Sequence, residues 1–178
     1  VRNILVLTGD YPSTEGYGGT PKPVYDLDPV MTLQLVETMN RGLPHTVAGK
    51  NVMLAPTDFF VGACVSPFKK LESELMTQYA KLRKKIQSGA KFIVTQVGYD
   101  QRKLHELLTW LSVNGFSIPV LANVYVLPYG AAKAMNANGV AGCVVTDTLL
   151  ADIEKEKDSP DKGKAARIAR AAKQYAIA

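Results

Sequence analysis

The chain has 178 residues, of which 47% are hydrophobic and 21% are charged, and its formal net charge is +5. This length and composition are typical of one soluble globular domain with a sizeable core. No apolar run approaches the roughly 18 residues of a membrane span. The two histidines and two cysteines lack the spacing of metal ligands, so the sequence predicts no metal site. We expect a cytoplasmic protein with reduced thiols and no membrane partner.

The basic residues concentrate in two stretches, residues 80–91 and 160–174. Basic patches can bind nucleic acid, but here no nucleic-acid motif accompanies them and aromatic residues are only 8% of the chain. We therefore expect no nucleic-acid partner. The patches are explained equally by solvated helix faces or by a local phosphate site.

Apolar runs and helical patterns alternate along the chain. The runs are rich in Val and Ile and nearly continuous, which is typical of strands covered on both faces in a parallel sheet. They predict five strands, at residues 3–10, 59–67, 91–100, 118–128 and 139–147. Apolar residues three or four positions apart predict helices within 28–42, 71–90, 101–115, 129–139, 147–159 and 162–176.

Capping residues mark the helix ends. Asp28 is predicted to cap the first helix, with Pro29 at its first position and Gly42 just beyond its end. Asp100 and Asp147 each open a helical pattern, and we interpret both as N-caps.

The alternation predicts parallel βα units in an α/β fold. An open doubly wound sheet would be complete with five strands, but the sequence has neither a G-x-G-x-x-G loop nor a Walker loop. A (β/α)8 TIM barrel needs eight strands. We therefore expect a single α/β domain over residues 1–178 that is part of a larger barrel, completed by a longer chain, a homo-oligomer or further subunits.

In either architecture, ligands bind at the carboxyl ends of the strands. Asp10 ends the first strand and is followed by Pro12 and a glycine-rich segment, so a functional carboxylate is a better explanation than a helix cap. Gln96 is a polar residue in an apolar strand, which either binds a ligand or bonds to neighbouring backbone. The cluster of Lys81, Lys84 and Lys85 is either a solvated helix face or an anion cradle.

Five segments resemble, in order and spacing, the methylenetetrahydrofolate reductases: "LTGDYP", "YDLDPV", "VGACVSPF", "KLRKKIQSGAKFIVTQVGYD" and "PVLANVYVL". The resemblance implies the fourth strand onward of a flavin-dependent (β/α)8 barrel, in a divergent branch of the family. It implies reduction of 5,10-methylenetetrahydrofolate to 5-methyltetrahydrofolate, a step of one-carbon metabolism toward methionine. The hydride would pass through FAD, with NADH, NADPH or a protein as electron donor.

The resemblance also assigns roles to single positions. Asp10 and Gln96 are expected to be catalytic and, with the neighbouring Tyr99, to bind the folate. The expected FAD-binding residues are Thr8, Gly9, Asp10, Tyr25, Cys64, Lys81, Lys84 and Lys85.

Two positions depart from the pattern. Thr8 replaces an arginine common in the family, and Cys64 replaces a flavin-contacting tyrosine. An alternative is therefore a non-catalytic barrel that binds folate or docks a partner without productive FAD binding. An unrelated phosphate-binding α/β protein is a third reading.

Overall fold

The computed structural model of the protein describes residues 1–9, 25–137, 140 and 142–176. Asp10 and the rest of residues 10–24 lie outside the described residues. The strands of the described part are β1 (Asn3–Val6), β2 (Pro44–Val47), β3 (Lys50–Met53), β4 (Phe60–Val65), β5 (Phe92–Thr95) and β6 (Val120–Leu121). Its helices are α1 (Pro29–Arg41), α2 (Glu72–Gln87), α3 (Gln101–Val113), α4 (Tyr129–Asn136), α5 (Asp147–Glu156) and α6 (Lys164–Tyr175).

Four of the described strands form one sheet in the order β1-β4-β5-β6. β1 pairs with β4 in parallel, with Val6 opposite Ala63, and β5 pairs with β6 in parallel, with Ile93 opposite Val120. Helices separate these strands along the chain, as parallel connections require. The predicted α/β fold with a parallel sheet and alternating helices is confirmed. No helix in the described ranges combines the length and apolarity that a membrane span requires.

The chain divides into two compact units. The first comprises Val1–Cys64 and Lys81–Phe92, and the second comprises Val65–Ala80 and Ile93–Ala178. Each unit has its own buried apolar residues and is described by itself below.

In the first unit, helix α1 forms as its sequence predicts. The Asp28 carboxylate accepts a hydrogen bond from the Met31 amide at 2.8 Å, and Pro29 occupies the first helical position. The helix ends at Gly42, whose φ of +102° suits a residue without a Cβ. Leu33 and Val36 on its inner face are buried.

Asn40 connects α1 to the segment that enters β4. Its Oδ1 accepts hydrogen bonds from the Phe59 amide at 2.9 Å and from the Thr57 hydroxyl at 2.7 Å. Its Nδ2 donates to the Phe59 carbonyl at 3.0 Å. One side chain thus satisfies both backbone groups of Phe59 and fixes where β4 begins.

In the second unit, α2 and α3 share an aromatic core. The Tyr79 ring stacks on Trp110 with centroids 4.9 Å apart, and the leucines of α3 facing inward are buried. A separate cluster joins the C-terminal helices and consists of Leu127, Ala132, Val145 and Ile153.

The predicted fifth strand at 139–147 is wrong for its described part, because residues 142–146 form no strand. Cys143 and Val145 are buried, which explains the apolar run, but Gly142 with a φ of +74° interrupts the extended backbone. The Val145 carbonyl accepts instead from the Asn136 side chain at 3.1 Å. The strand predicted at 118–128 is reduced to Val120–Leu121.

Two further expectations differ from the structure. The sequence pattern predicts no element between α1 and β4, but β2 and β3 form an antiparallel hairpin there. Its turn residues Ala48 and Gly49 both have positive φ. The N-cap of α5 is Thr146, whose side chain accepts from the Leu149 amide, whereas Asp147 is the first helical residue and accepts from Asn136 at 2.7 Å.

Gly62 in the middle of β4 allows a close approach of the Phe92 ring, which stacks on Phe60 with centroids 5.6 Å apart. A Cβ at position 62 would overlap that ring. We therefore expect Gly62→Ala to lower the free energy of unfolding by about 1–3 kcal/mol, measured by urea denaturation. Gly130→Ala is the matched control, because a Cβ there meets nothing within 4 Å. Equal stability of the Gly62→Ala variant and the wild type would contradict this packing.

Candidate functional site

In the first unit, the carboxyl ends of β1 and β4 lie side by side. The parallel register sets Val6 opposite Ala63, so Thr8 and Gly9 leave β1 beside the end of β4 that carries Cys64. Thr8 and Gly9 are both exposed, and a Cβ at Gly9 would meet no described atom within 4 Å. No side chain among the described residues therefore fills the space beside these two predicted cofactor residues.

Lys85 reaches the end of β4 from helix α2. Its Nζ donates a hydrogen bond to the Cys64 carbonyl at 2.6 Å, and its side chain is half-buried. Burial lowers the pKa of the Lys85 ammonium; the neighbouring Cys64 and Asp28 oppose this change, whereas Lys81 adds to it. An ammonium has three donors, so the group keeps two for another acceptor.

The other basic residues of the cluster lie on the surface of α2. Lys81 and Lys84 are exposed, and Lys81 precedes Lys85 by one helical turn on the same face. Tyr25 is also exposed, at 46% of its accessible surface. The structure thus brings Thr8, Gly9, Cys64 and Lys85 to the β1 and β4 ends, with Lys81 near Lys85.

Cys64 presents a half-buried thiol at this edge. Burial raises the pKa of the Cys64 thiol, and the positive charge of Lys85 only partly opposes that rise. The thiol is therefore protonated at neutral pH. It supplies neither the ring nor the hydroxyl of the tyrosine that the family resemblance leads us to expect at this position.

In the second unit, Gln96 follows directly after β5. Its Oε1 accepts a hydrogen bond from the Val97 amide at 2.8 Å, as expected for a residue bonded to neighbouring backbone. Its Nε2 has no hydrogen-bond acceptor among the described residues. A Cβ at Gly142 would lie 2.9 Å from Nε2, so the glycine leaves room for the amide. Gln96 therefore retains N–H groups that can donate a hydrogen bond to an oxygen or ring nitrogen of a ligand.

Tyr99 lies three residues beyond Gln96 and is half-buried. Its hydroxyl contacts the Met135 sulfur at 3.6 Å, and its ring packs against the C-terminal apolar cluster defined above. Burial raises the pKa of the Tyr99 hydroxyl well above its usual range. The residue therefore has a packing role, and it also forms part of the wall of a cavity.

That cavity has a volume of about 640 Å³ and lies at the start of α3. Besides Tyr99, its walls include Phe68, Thr146 and four cations, which are Lys69, Lys70, Arg102 and Lys103. Asp100 caps α3 through the Arg102 amide at 3.0 Å. The hydrogen bonds from Arg102 hold the pKa of Asp100 below its ordinary value.

Of these cavity residues, only Tyr99 was predicted to bind a ligand, and Asp100 was interpreted as a helix cap. The four cations were missed, because the polar residues at each strand end were considered but not the basic residues of the loops that follow. The dipeptide at residues 69–70 and the basic pair at 102–103 were the available signal, since both follow predicted strand ends. Asp10, predicted to be catalytic and to bind both ligands, lies outside the described residues.

The fold and these strand-end residues define an α/β protein of the parallel-sheet class, with polar groups collected where such proteins bind ligands. The family model for methylenetetrahydrofolate reductase matches residues 1–177. The chain belongs to the methylenetetrahydrofolate reductase family. No curated protein shows a significant match to the chain.

The half-buried Lys85 ammonium has a measurable consequence. Since its pKa is lowered on folding, the unfolded chain binds more protons in the range below the ordinary lysine pKa of about 10.4, and stability rises with pH there. We expect the wild type to gain stability relative to Lys85→Met as the pH is raised from about 7 toward about 10. Urea midpoints across this range measure the difference.

Lys84→Met is the control, because it removes an exposed ammonium from the neighbouring position of the same helix. If the stability of Lys85→Met followed the wild type in parallel over the whole range, the ammonium would not be buried as described.

Proposed function

We propose that the protein is a flavin-dependent oxidoreductase that reduces 5,10-methylenetetrahydrofolate to 5-methyltetrahydrofolate. Family membership supports a folate-related reductase. The observation that carries the finer proposal is Gln96, whose Nε2 donor is left open at the carboxyl end of β5. Gln96 is the first residue after β5, and proteins of this fold class bind their ligands at the carboxyl ends of the strands.

Gln96 suits recognition of a pterin edge. The bond from the Val97 amide to Oε1 fixes the orientation of the side-chain amide, so that Nε2 points away from its own backbone. A pterin carbonyl or ring nitrogen can accept from this donor. A preset donor binds without the loss of rotamer freedom that a loose side chain would incur.

The described residues fit an anionic cofactor such as FAD. Lys85 keeps two donors beyond its bond to Cys64, and Lys81 and Lys84 add positive charge to the same helix. Phosphate groups are bound by such lysines as point charges. A bound reduced flavin would supply the hydride that reduces the methylene carbon of the folate. Thr8, Gly9, Tyr25 and Cys64 are proposed to line the rest of this site.

Asp10 is proposed to act at the same strand end as Thr8 and Gly9. A carboxylate there would oppose negative charge on a reduced cofactor ring and so favour loss of the hydride. It would also accept hydrogen bonds from the donor edge of a pterin. This role follows from the family resemblance at position 10.

The proposed architecture is a partial (β/α)8 barrel, corresponding to the fourth strand onward. NADH, NADPH or a protein donor would provide the electrons, and a second copy of the chain or further subunits are proposed as partners. We propose a cytoplasmic location, where one-carbon metabolism takes place.

A second candidate is a folate-binding protein without productive FAD binding. Thr8 and Cys64 favour it, because neither supplies a positive charge or an aromatic ring at the β1 and β4 ends. The two candidates differ in one property: only the reductase would hold a reduced flavin that methylenetetrahydrofolate can reoxidise.

The test is anaerobic titration of the purified protein with FAD, followed by photoreduction and addition of methylenetetrahydrofolate. If the protein is the reductase, it should bind FAD and show the absorbance of oxidised flavin. Photoreduction should remove that absorbance, and methylenetetrahydrofolate should restore it by reoxidising the flavin. Folate binding to a protein that holds no flavin would favour the second candidate. A protein that binds neither ligand would overturn both.

The variant Gln96→Leu tests the amide. We expect it to weaken folate binding by roughly tenfold, because a hydrogen bond of about 1.4 kcal/mol is lost. FAD affinity is measured alongside, and it should stay constant if the amide acts on the folate alone. Gln87→Leu, at an exposed position on α2, is the matched control. An unchanged folate affinity in Gln96→Leu would contradict the assignment.

A further inference from the structure

The C-terminal helix α6 contacts the loop after β5 through one buried side chain, that of Gln174. This residue lies in the last turn of α6 and is only 4% exposed. Its Nε2 donates a hydrogen bond to the Gly98 carbonyl, 76 positions away in sequence. A glutamine is seldom buried to this extent, and here the bond to backbone compensates for the burial. None of the roles proposed above uses this bond.

Gly98 is restricted by two contacts. A Cβ at this position would overlap the Phe68 ring, which is itself 5% exposed, and the carbonyl of the same glycine accepts from Gln174. Glycine has more backbone freedom than any other residue, so the chain could change direction most easily here. The ring and the hydrogen bond together restrict the backbone at the point where it would otherwise be freest.

The restricted glycine lies in the middle of the short segment that presents Gln96. The start of that segment is fixed by a hydrogen bond from the Gln96 amide to the Val65 carbonyl at 2.8 Å. Its end is fixed by Asp100, which caps α3 as described above. The hydrogen bond from Gln174 therefore holds the part of the segment that lies between these two anchors.

The Val97 amide transmits this restriction to the Gln96 side chain. It donates to Gln96 Oε1 at 2.8 Å, and its direction determines where Nε2 of the same side chain points. Only the backbone dihedral angles of Val97 and Gly98 separate this amide from the Gly98 carbonyl. Release of the carbonyl would let the Val97 peptide turn, and the Gln96 amide would lose its preset orientation.

Helix α6 is itself well anchored. The Asp161 carboxylate accepts from the Ala165 amide at 2.7 Å at the start of the helix, and Arg170 forms an ion pair with Glu156. Ala171 packs against the protein and is buried. A donor on an element fixed in this way can hold a distant backbone group in place.

We propose that Gln174 is a positioning residue for folate binding. By holding the Gly98 carbonyl, it keeps the Gln96 amide oriented toward the pterin, although it makes no contact with the ligand itself. The inference rests on the proposed function, since it assumes that Gln96 binds the folate. The alternative is that Gln174 only fastens α6 to the second unit, and the experiments separate these two roles.

The variant Gln174→Met removes the donor but keeps a side chain of similar length. We expect the dissociation constant for methylenetetrahydrofolate to rise about fivefold, because a Gln96 amide that is no longer preset forms its hydrogen bond less favourably. The affinity for FAD should stay constant. Lys173→Met is the matched control at the neighbouring exposed position of α6, and it should change neither affinity.

A double variant tests whether Gln174 acts through Gln96. Gln96→Leu alone should weaken folate binding by roughly tenfold. Adding Gln174→Met should then cause no further loss, since the effects of coupled residues do not add. Independent effects would instead combine to a loss of about fiftyfold.

Amide hydrogen exchange tests the positioning step without a ligand. The Val97 amide should exchange about fivefold faster in Gln174→Met than in the wild type, because its bond to Gln96 opens more often. The Ile93 amide is the internal reference, since it donates to the Pro119 carbonyl at 2.9 Å and should exchange at the same rate in both. Gln174→Asn has an amide on a shorter side chain, and it serves as the test variant if Gln174→Met does not fold.

Unfolding midpoints verify that each variant is folded. An unchanged folate affinity or an unchanged Val97 exchange rate in Gln174→Met would overturn the inference. So would a parallel loss of folate and FAD binding, or a loss of about fiftyfold in the double variant. Each of these outcomes leaves the proposed function intact if the wild type binds folate and folate reoxidises its flavin. If the wild type binds no folate, the proposed function fails and the inference fails with it.

Discussion

The hydrogen bond from Lys85 to the Cys64 carbonyl is the interaction on which the first unit's candidate site depends. It joins the last turns of α2 to the carboxyl end of β4, and so brings a positive charge to the place where the sheet ends. An ammonium in this half-buried position costs desolvation energy, and an acceptor at 2.6 Å offsets that cost. The single contact therefore serves both packing and charge placement.

The candidate residues fall into two groups that follow the division of the chain. The strand ends and lysines of the proposed cofactor site belong to the first unit, whereas Gln96, Tyr99 and the basic cavity belong to the second. The first group carries positive charge, and the second carries an oriented amide and aromatic walls. These properties support the proposed cofactor role of the first group and the proposed folate role of the second.

The sequence predicted helix ends and strands well where they depend on residues that are neighbours along the chain. The cap at Asp28, the stop at Gly42 and the continuous apolar run of β4 depend on neighbours in sequence, and all appear in the structure. The apolar run at 139–147 was wrongly predicted to be a strand. Burial alone is enough to make a segment apolar, whereas strand pairing also requires an extended backbone, and Gly142 interrupts that backbone with its positive φ. The cavity could not be predicted, because it brings residues 68–70 together with 99–103 through the fold.

Gly142 has a consequence beyond the backbone it bends. The Gln96 amide extends into the space that a side chain at position 142 would take, so the orientation of the proposed folate-binding donor depends on a residue 46 positions away, the difference between 142 and 96. Any larger residue there would have to displace the amide or distort a left-handed turn. Under the proposed function, substitution at this one position would change ligand selection while leaving every residue proposed to contact the ligand in place.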